Sequence, residues 1–199
     1  IGQQLGNYRV IRFLEAGGFA EVYLGEHIHL GTEIAIKLLH TQLTSEDVEK
    51  FRTEARTIAR LRHPHIIRVL DFGVERNTAY LVMDYAPNGT LRQRIHEGIP
   101  LQPTIILSYV KQIASALQYA HEQKLIHRDI KPQNMLLGAD NDVLLSDFGL
   151  AEIAQSTISQ VVQEQAGSPS YMAPEQFLGK PRPASDQYSF AVVIYEWLC

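Results

Sequence analysis

The chain has 199 residues, 45% of them hydrophobic and 20% charged, which is enough apolar material to bury a core. Its formal charge is −4 with a pI near 6.1 and no Lys/Arg run, so the composition argues against a nucleic-acid partner. The single cysteine, Cys199, excludes an internal disulfide framework, and no segment resembles a signal peptide or is long enough to span a bilayer. The composition leads to the expectation of a cytoplasmic protein, or the cytoplasmic part of a larger membrane protein.

Strand signals come first. Tyr8 to Leu14 and Glu21 to Gly25 flank a Gly17-Gly18 turn, and Glu33 to Leu39 is a third strand rich in Ile and Leu. A helix follows, with Ser45 as its expected cap and Glu46 and Asp47 in its first turn. Phe51, Ala55, Ile58 and Leu61 form its apolar stripe, and His63-Pro64 is expected to end it. Glu54 falls inside that stripe. A carboxylate on a buried face is costly unless paired, so Glu54 needs a cation. Two more strands, around Ile66 to Phe72 and Ala79 to Tyr85, complete a small sheet with one helix.

After Pro87-Asn88-Gly89 the pattern turns helical. Pro103 opens a helix in which Ile106, Val110, Ile113, Leu117 and Ala120 recur at helical spacing. Two short apolar runs, Met135 to Leu137 and Val143 to Leu145, are joined by Gly138-Ala139-Asp140-Asn141-Asp142 and read as a hairpin rather than a calcium loop. A polar segment runs from Glu152 to Ser170. The last stretch, Asp186 to Cys199, is apolar on nearly every face, which predicts a helix surrounded by protein.

Four short motifs are candidates for chemistry. Ile34-Ala35-Ile36-Lys37 ends a strand and alone reads as an edge lysine. His127-Arg128-Asp129-Ile130-Lys131-Pro132-Gln133-Asn134 is dense with charge yet flanked by apolar Leu125-Ile126 and Met135-Leu136-Leu137, so it is partly buried. Asp147-Phe148-Gly149 alone is an ordinary turn, and Ala173-Pro174-Glu175 alone carries no meaning.

In this order and spacing the motifs resemble protein kinases from about Tyr8 to the last residue, and closely resemble the bacterial Ser/Thr branch. The resemblance implies an α+β, two-lobe fold. Residues 1–85 would be a small antiparallel-sheet lobe with one helix. Residues 86–199 would be a mainly helical large lobe that lacks its C-terminal helices, so that the isolated chain is expected to be poorly stable. The implied activity is transfer of the γ-phosphoryl group of ATP, with Mg²⁺, to a Ser/Thr hydroxyl of a protein substrate or of the protein itself.

Residue by residue, the resemblance assigns Lys37 to the α- and β-phosphates, with Glu54 as the acid that holds it. Asp129 would accept or steer the proton of the attacking hydroxyl and Lys131 would steady the phosphoryl group. Asn134 and Asp147 would hold Mg²⁺. Leu14, Gly17, Gly18 and Phe19 would help to bind ATP, Val22, Ala35 and Leu136 would sandwich adenine, Met83 would sit at its back, and Asp84 to Ala86 would offer it backbone hydrogen bonds. Ile58, Leu70, His127 and Phe148 match the stacked column of active kinases. Lys131, and Gly167-Ser168 ahead of Tyr171 to Glu175, are similar to Ser/Thr rather than tyrosine kinases, with Ser168 and Glu175 in acceptor docking.

Two departures stand out. The family's G-x-G-x-x-G loop is met by Glu15, Gly17 and Ala20, which predicts weakened ATP affinity, since glycines let backbone N–H groups approach phosphate. Arg128 implies control by a phosphate on Ser156, Thr157 or Ser159, with Thr157 first among them, although these residues also read as plain loop residues. Glu152 sits where relatives often place a basic partner, and Lys50 is an alternative. The second functional reading is a catalytically dead nucleotide-binding or scaffolding fragment.

Overall fold

The computed structural model describes residues 1–17, 20–42, 44–75, 78–95, 98–148 and 169–199. They divide into two compact units, one holding Ile1–Leu61 and Ile67–Tyr85, the other holding Arg62–Ile66, 86–148 and 169–199.

The first unit is a six-stranded sheet in the order β1-β2-β3-β4-β6-β5, with every neighbouring pair antiparallel. Its strands are β1 (Gln4–Leu5), β2 (Tyr8–Ala16), β3 (Ala20–His27), β4 (Glu33–Gln42), β5 (Val69–Glu75) and β6 (Thr78–Asp84). Residues opposed across strands share a face. Val22, Lys37 and Leu81 stand in register, as do Leu24, Ala35 and Met83. The other face is an apolar cluster of Leu5, Tyr8, Val10, Ile34, Ile36, Tyr80 and Val82.

The helix α1 (Ser45–Ile58) lies on the Lys37 side. Phe51 meets Phe72 edge to face at 6.0 Å, and Phe72 stands opposite Leu81. Its cap is Thr44, not Ser45. Thr44 Oγ1 accepts the Asp47 N–H at 3.3 Å while the Asp47 carboxylate accepts the Thr44 N–H at 3.0 Å, a reciprocal box that needs an acid three residues on. The helix also ends before His63-Pro64. It stops at Ile58 and tightens into a narrower turn, with Arg60 N–H bonded to Thr57 O and Leu61 N–H to Ile58 O.

The second unit contains α2 (Leu91–Arg94), α3 (Pro103–Glu122), α4 (Pro174–Phe177), α5 (Pro183–Leu198) and the antiparallel hairpin of β7 (Met135–Leu137) and β8 (Val143–Leu145). The hairpin turn closes with Gly138 N–H on Asp142 O at 2.9 Å and Asn141 at φ 61°. Ile66, read from sequence as the start of a strand, instead bridges Leu145, and β5 starts only at Val69. The loop 62–66 is pinned by its histidines: His63 stacks on Tyr119 at 5.3 Å and faces Ser115 Oγ at 3.0 Å, and His65 Nδ1 meets Val143 O at 3.1 Å.

α5 buries Phe190, Val193 and Trp197, with Trp197 edge-on to Tyr109 of α3 at 5.9 Å. It is not buried all round: Tyr195 is 68% exposed, Leu198 53% and Tyr188 47%, because α3 and the turn Pro169–Tyr171 cover one side of it only. Among the described residues, no helix is long and apolar enough to cross a membrane.

Candidate active site

The sheet carries one group of the expected residues. Lys37 points to the same side as Val22, Ala35, Leu81 and Met83, and α1 brings half-buried Glu54 to that side between Phe51 and Ile58. A bulge in β2 at Leu14 leaves Glu15 opposite Val22, and Gly17 N–H closes the following turn on Ala20 O at 2.8 Å. Met83 is buried next to exposed Asp84. Leu70 is 38% exposed. Gly18 and Phe19 lie outside the described residues.

The second unit carries the other group. Two side chains converge on one carboxylate: Lys131 Nζ lies 2.8 Å from Asp129 Oδ2, and Asn134 Nδ2 donates to Asp129 Oδ2 at 3.0 Å and to Asp129 O at 2.7 Å. With its Nδ2 committed to Asp129, the Asn134 amide keeps Oδ1 as an acceptor. Ser146 N–H donates to Asn134 O at 2.9 Å, which places the hairpin exit, and hence Asp147, beside Asn134. Asp147 itself sits at φ 67°, a left-handed conformation that aspartate tolerates better than most residues. Ala86 is buried and Leu136 half-buried in this unit, Leu136 bridged to Thr90.

His127 is fully buried and acts as a spacer. Its Nε2 donates to Ser146 O at 2.7 Å and its Nδ1 accepts the Asp129 N–H at 3.3 Å, which assigns the neutral Nε2–H tautomer. Its ring packs against Phe148 at 4.5 Å.

Several contributors were not read from the sequence. Asp186, 1% exposed, accepts from His127 N–H at 2.9 Å, Arg128 N–H at 2.8 Å and His121 Nε2 at 2.7 Å, so a buried charge is satisfied by the loop that it holds. Gln176 Nε2 donates to Arg128 O at 2.8 Å. Glu196 joins Arg92 at 2.5 Å and Tyr171 Oη at 2.6 Å, and burial together with that bond pushes the Tyr171 hydroxyl up to about 12. The sequence offered no partner for Glu175. The structure instead gives it Ser185 Oγ at 2.6 Å, which holds its carboxyl below the usual carboxylate range, with Arg182 at 4.0 Å. Apart from Glu175 and Arg182, these partners lie ten or more residues apart along the chain, so no local pattern announces them. Ser156, Thr157, Ser159 and Ser168 lie outside the described residues.

Comparison with known proteins agrees with this arrangement. Residues 8–199 match the family model described as protein kinase domain. The serine/threonine-protein kinase PrkC of Bacillus subtilis is 37% identical over 202 residues, covering 100% of this chain and 31% of that protein. The serine/threonine-protein kinase pkn2 of Myxococcus xanthus is 38% identical over 203 residues, covering 97% of this chain and 24% of that protein. The chain thus spans about a third or less of these relatives' length. Crystal structures of the Mycobacterium tuberculosis PknI kinase domain superpose with TM-scores of 0.78 (a mutant form) and 0.76, at 33% identity over 97% of this chain and 74% of theirs. The chain belongs to the protein kinase domain family.

Proposed function

We propose that this protein is a Ser/Thr protein kinase that moves the γ-phosphoryl group of ATP-Mg onto a Ser or Thr hydroxyl of a protein, with itself among its substrates. The observation that carries the proposal is the Asp129 carboxylate, held at Oδ2 by Lys131 and Asn134 beside the Asp147 segment. That constellation suits a group that must orient an acceptor hydroxyl and take up its proton as the P–O bond forms.

The donor set suits magnesium. Asn134 Oδ1 and the Asp147 carboxylate are hard oxygen ligands, and Mg²⁺ is typically held by one or two side chains plus substrate phosphates. Among the described residues no group of three or more His, Cys, Asp or Glu gathers to hold a metal by itself. When bound, the ion would neutralise charge on the phosphates. Lys37, with Glu54 as the acid to hold it, would bind the α- and β-phosphates, and Lys131 would steady the group in transfer. On the first unit Val22, Ala35 and Met83 would offer adenine an apolar surface, as Leu136 would on the second, and residues 84–86 would offer it backbone hydrogen bonds. The first unit is the nucleotide-binding lobe and the second the catalytic lobe. Arg128 is the receptor for a phosphate on Ser156, Thr157 or Ser159.

One observation favours the alternative of a dead fragment: Glu15 stands opposite Val22, where the family has a glycine, and adds an acid beside the polyanion. The two readings separate on incubation of the intact protein with γ-labelled ATP-Mg and a protein acceptor. The kinase reading predicts labelled acceptor. A scaffold binds nucleotide and leaves the acceptor unlabelled.

A further inference from the structure

Arg128, directly before Asp129, has φ of 69°, where a non-glycine side chain crowds its own backbone. Such a conformation persists only when its surroundings over-determine it, and here the surroundings are specific. The Arg128 N–H donates to Asp186 Oδ1 at 2.8 Å, and the Arg128 C=O accepts from Gln176 Nε2 at 2.8 Å. That carbonyl shares a rigid plane with the Asp129 N–H, which donates to His127 Nδ1 at 3.3 Å. The peptide entering Asp129 is therefore gripped at both ends, by His127 on one side and Gln176 on the other.

Gln176 does a second thing. Its Oε1 accepts the Ala173 N–H at 3.1 Å, capping the one-turn helix α4. Capping uses the oxygen alone, so the contact to Arg128 is additional to it. The neighbouring Glu175 accepts from Ser185, and the next residue, Asp186, holds Arg128 from the other side. The result is a closed ring of contacts running from 173–176 to the catalytic loop and back through 185–186.

We propose that Gln176 is a positioning residue for phosphotransfer. It fixes the Arg128–Asp129 peptide plane from the segment that seats the acceptor, and so couples acceptor docking to the orientation of the Asp129 carboxylate. The inference rests on the role proposed above for Asp129.

Gln176→Glu is the discriminating variant. It is isosteric and keeps an oxygen for the Ala173 N–H, but sets a carboxylate against the Arg128 carbonyl. In the intact protein we expect amide exchange across residues 127–134 to accelerate about tenfold and kcat to fall about 10- to 100-fold, with KM for ATP-Mg within about twofold of wild type, the scale of misplacing a reacting group by an ångström or less. The ratio of variant to wild-type kcat should rise as pH falls through the carboxyl range, because a protonated carboxyl regains the donor. Gln176→Met, neutral and of similar length, should show the same exchange and kcat losses without the pH rise, and serves if the glutamate variant does not fold. Exchange and kcat both within about twofold of wild type in either folded variant would overturn the inference, as would a methionine variant that loses activity while the glutamate variant keeps it, since Gln176 would then be a cap only. If exchange accelerates in a protein whose wild type transfers no phosphate, the positional coupling stands and the kinase reading fails. If the wild type is active, Asp129→Asn is inactive and Gln176→Glu is normal, the reverse holds.

Discussion

Asn134 reaches back five residues to clasp Asp129 twice, donating from Nδ2 to its carboxylate at 3.0 Å and to its carbonyl at 2.7 Å. One amide thus orients the proposed proton acceptor with one atom and would leave its oxygen for the proposed Mg²⁺. Asn134→Ala should lose both at once. We expect kcat to fall by about 100-fold or more, and the Mg²⁺ concentration for half-maximal activity to rise. Steady-state phosphotransfer measured across a Mg²⁺ series checks this, and an unchanged metal requirement would remove Asn134 from the metal.

Asp186 stabilises the loop rather than the reaction. Asp186→Asn leaves one amide oxygen facing three donors and turns an N–H₂ toward at least one of them. Leaving buried N–H groups unsatisfied in place of a charge-assisted network should cost about 3 kcal/mol of unfolding free energy. Urea unfolding of the two proteins gives the difference directly.

His63 makes the 62–66 loop sensitive to acid. Its Nδ1 accepts the His65 N–H at 3.1 Å, and burial, followed by the nearby His65, holds its pKa below the usual histidine value of 6.5. The unfolded chain therefore takes up the proton first. Stability is full above about pH 6.5 and declines as pH falls from there toward the lower folded-state value. His63→Gln should flatten that part of the profile, seen as a smaller difference between melting temperatures at pH 7.5 and 5.5. Equal slopes in both proteins would contradict the assignment.

The exposed side of α5 predicts self-association of the 199-residue chain. Tyr195 and Leu198 are 68% and 53% exposed on a helix whose other side is core. Tyr195→Lys with Leu198→Lys should shift the chain toward monomer in light scattering while changing its unfolding free energy by only about 0.5 kcal/mol per site. A wild-type chain that is already monodisperse would count against this reading.

Much of the fold was legible because local physics carries it. The alternation of Ile34, Ile36 and Leu38 against Ala35 and Lys37 separates the two faces of β4, and Pro103 marks the start of α3. Glu54 stood out as an acid on an apolar stripe, and the structure places it on the Lys37 side of the sheet. Beyond the one-sided burial of α5, the errors were at boundaries, where neighbouring residues compete. Thr44 won the cap from Ser45 because only Thr44 has an acid at the third position, and α1 stopped at Ile58, where its last turn narrows to three-residue bonds. The polar ring around the catalytic loop was not legible. Gln176 and Arg128 are 48 residues apart and Asp186 and Arg128 are 58 apart, and nothing in either neighbourhood marks the partner. Such contacts follow from the packing of α5 beneath the loop, which only the folded chain supplies.

The central claim is that Asp129 performs the proton step of phosphotransfer. The direct measurement is phosphoamino-acid analysis of an acceptor protein after reaction with γ-labelled ATP-Mg, for the wild-type protein and for Asp129→Asn, alongside nucleotide titration of both. The account predicts phosphoserine or phosphothreonine from the wild type, no label from the variant, and ATP-Mg affinity within about threefold between them. Equal labelling by the variant, or a wild type that binds no ATP-Mg at millimolar concentration, would contradict it.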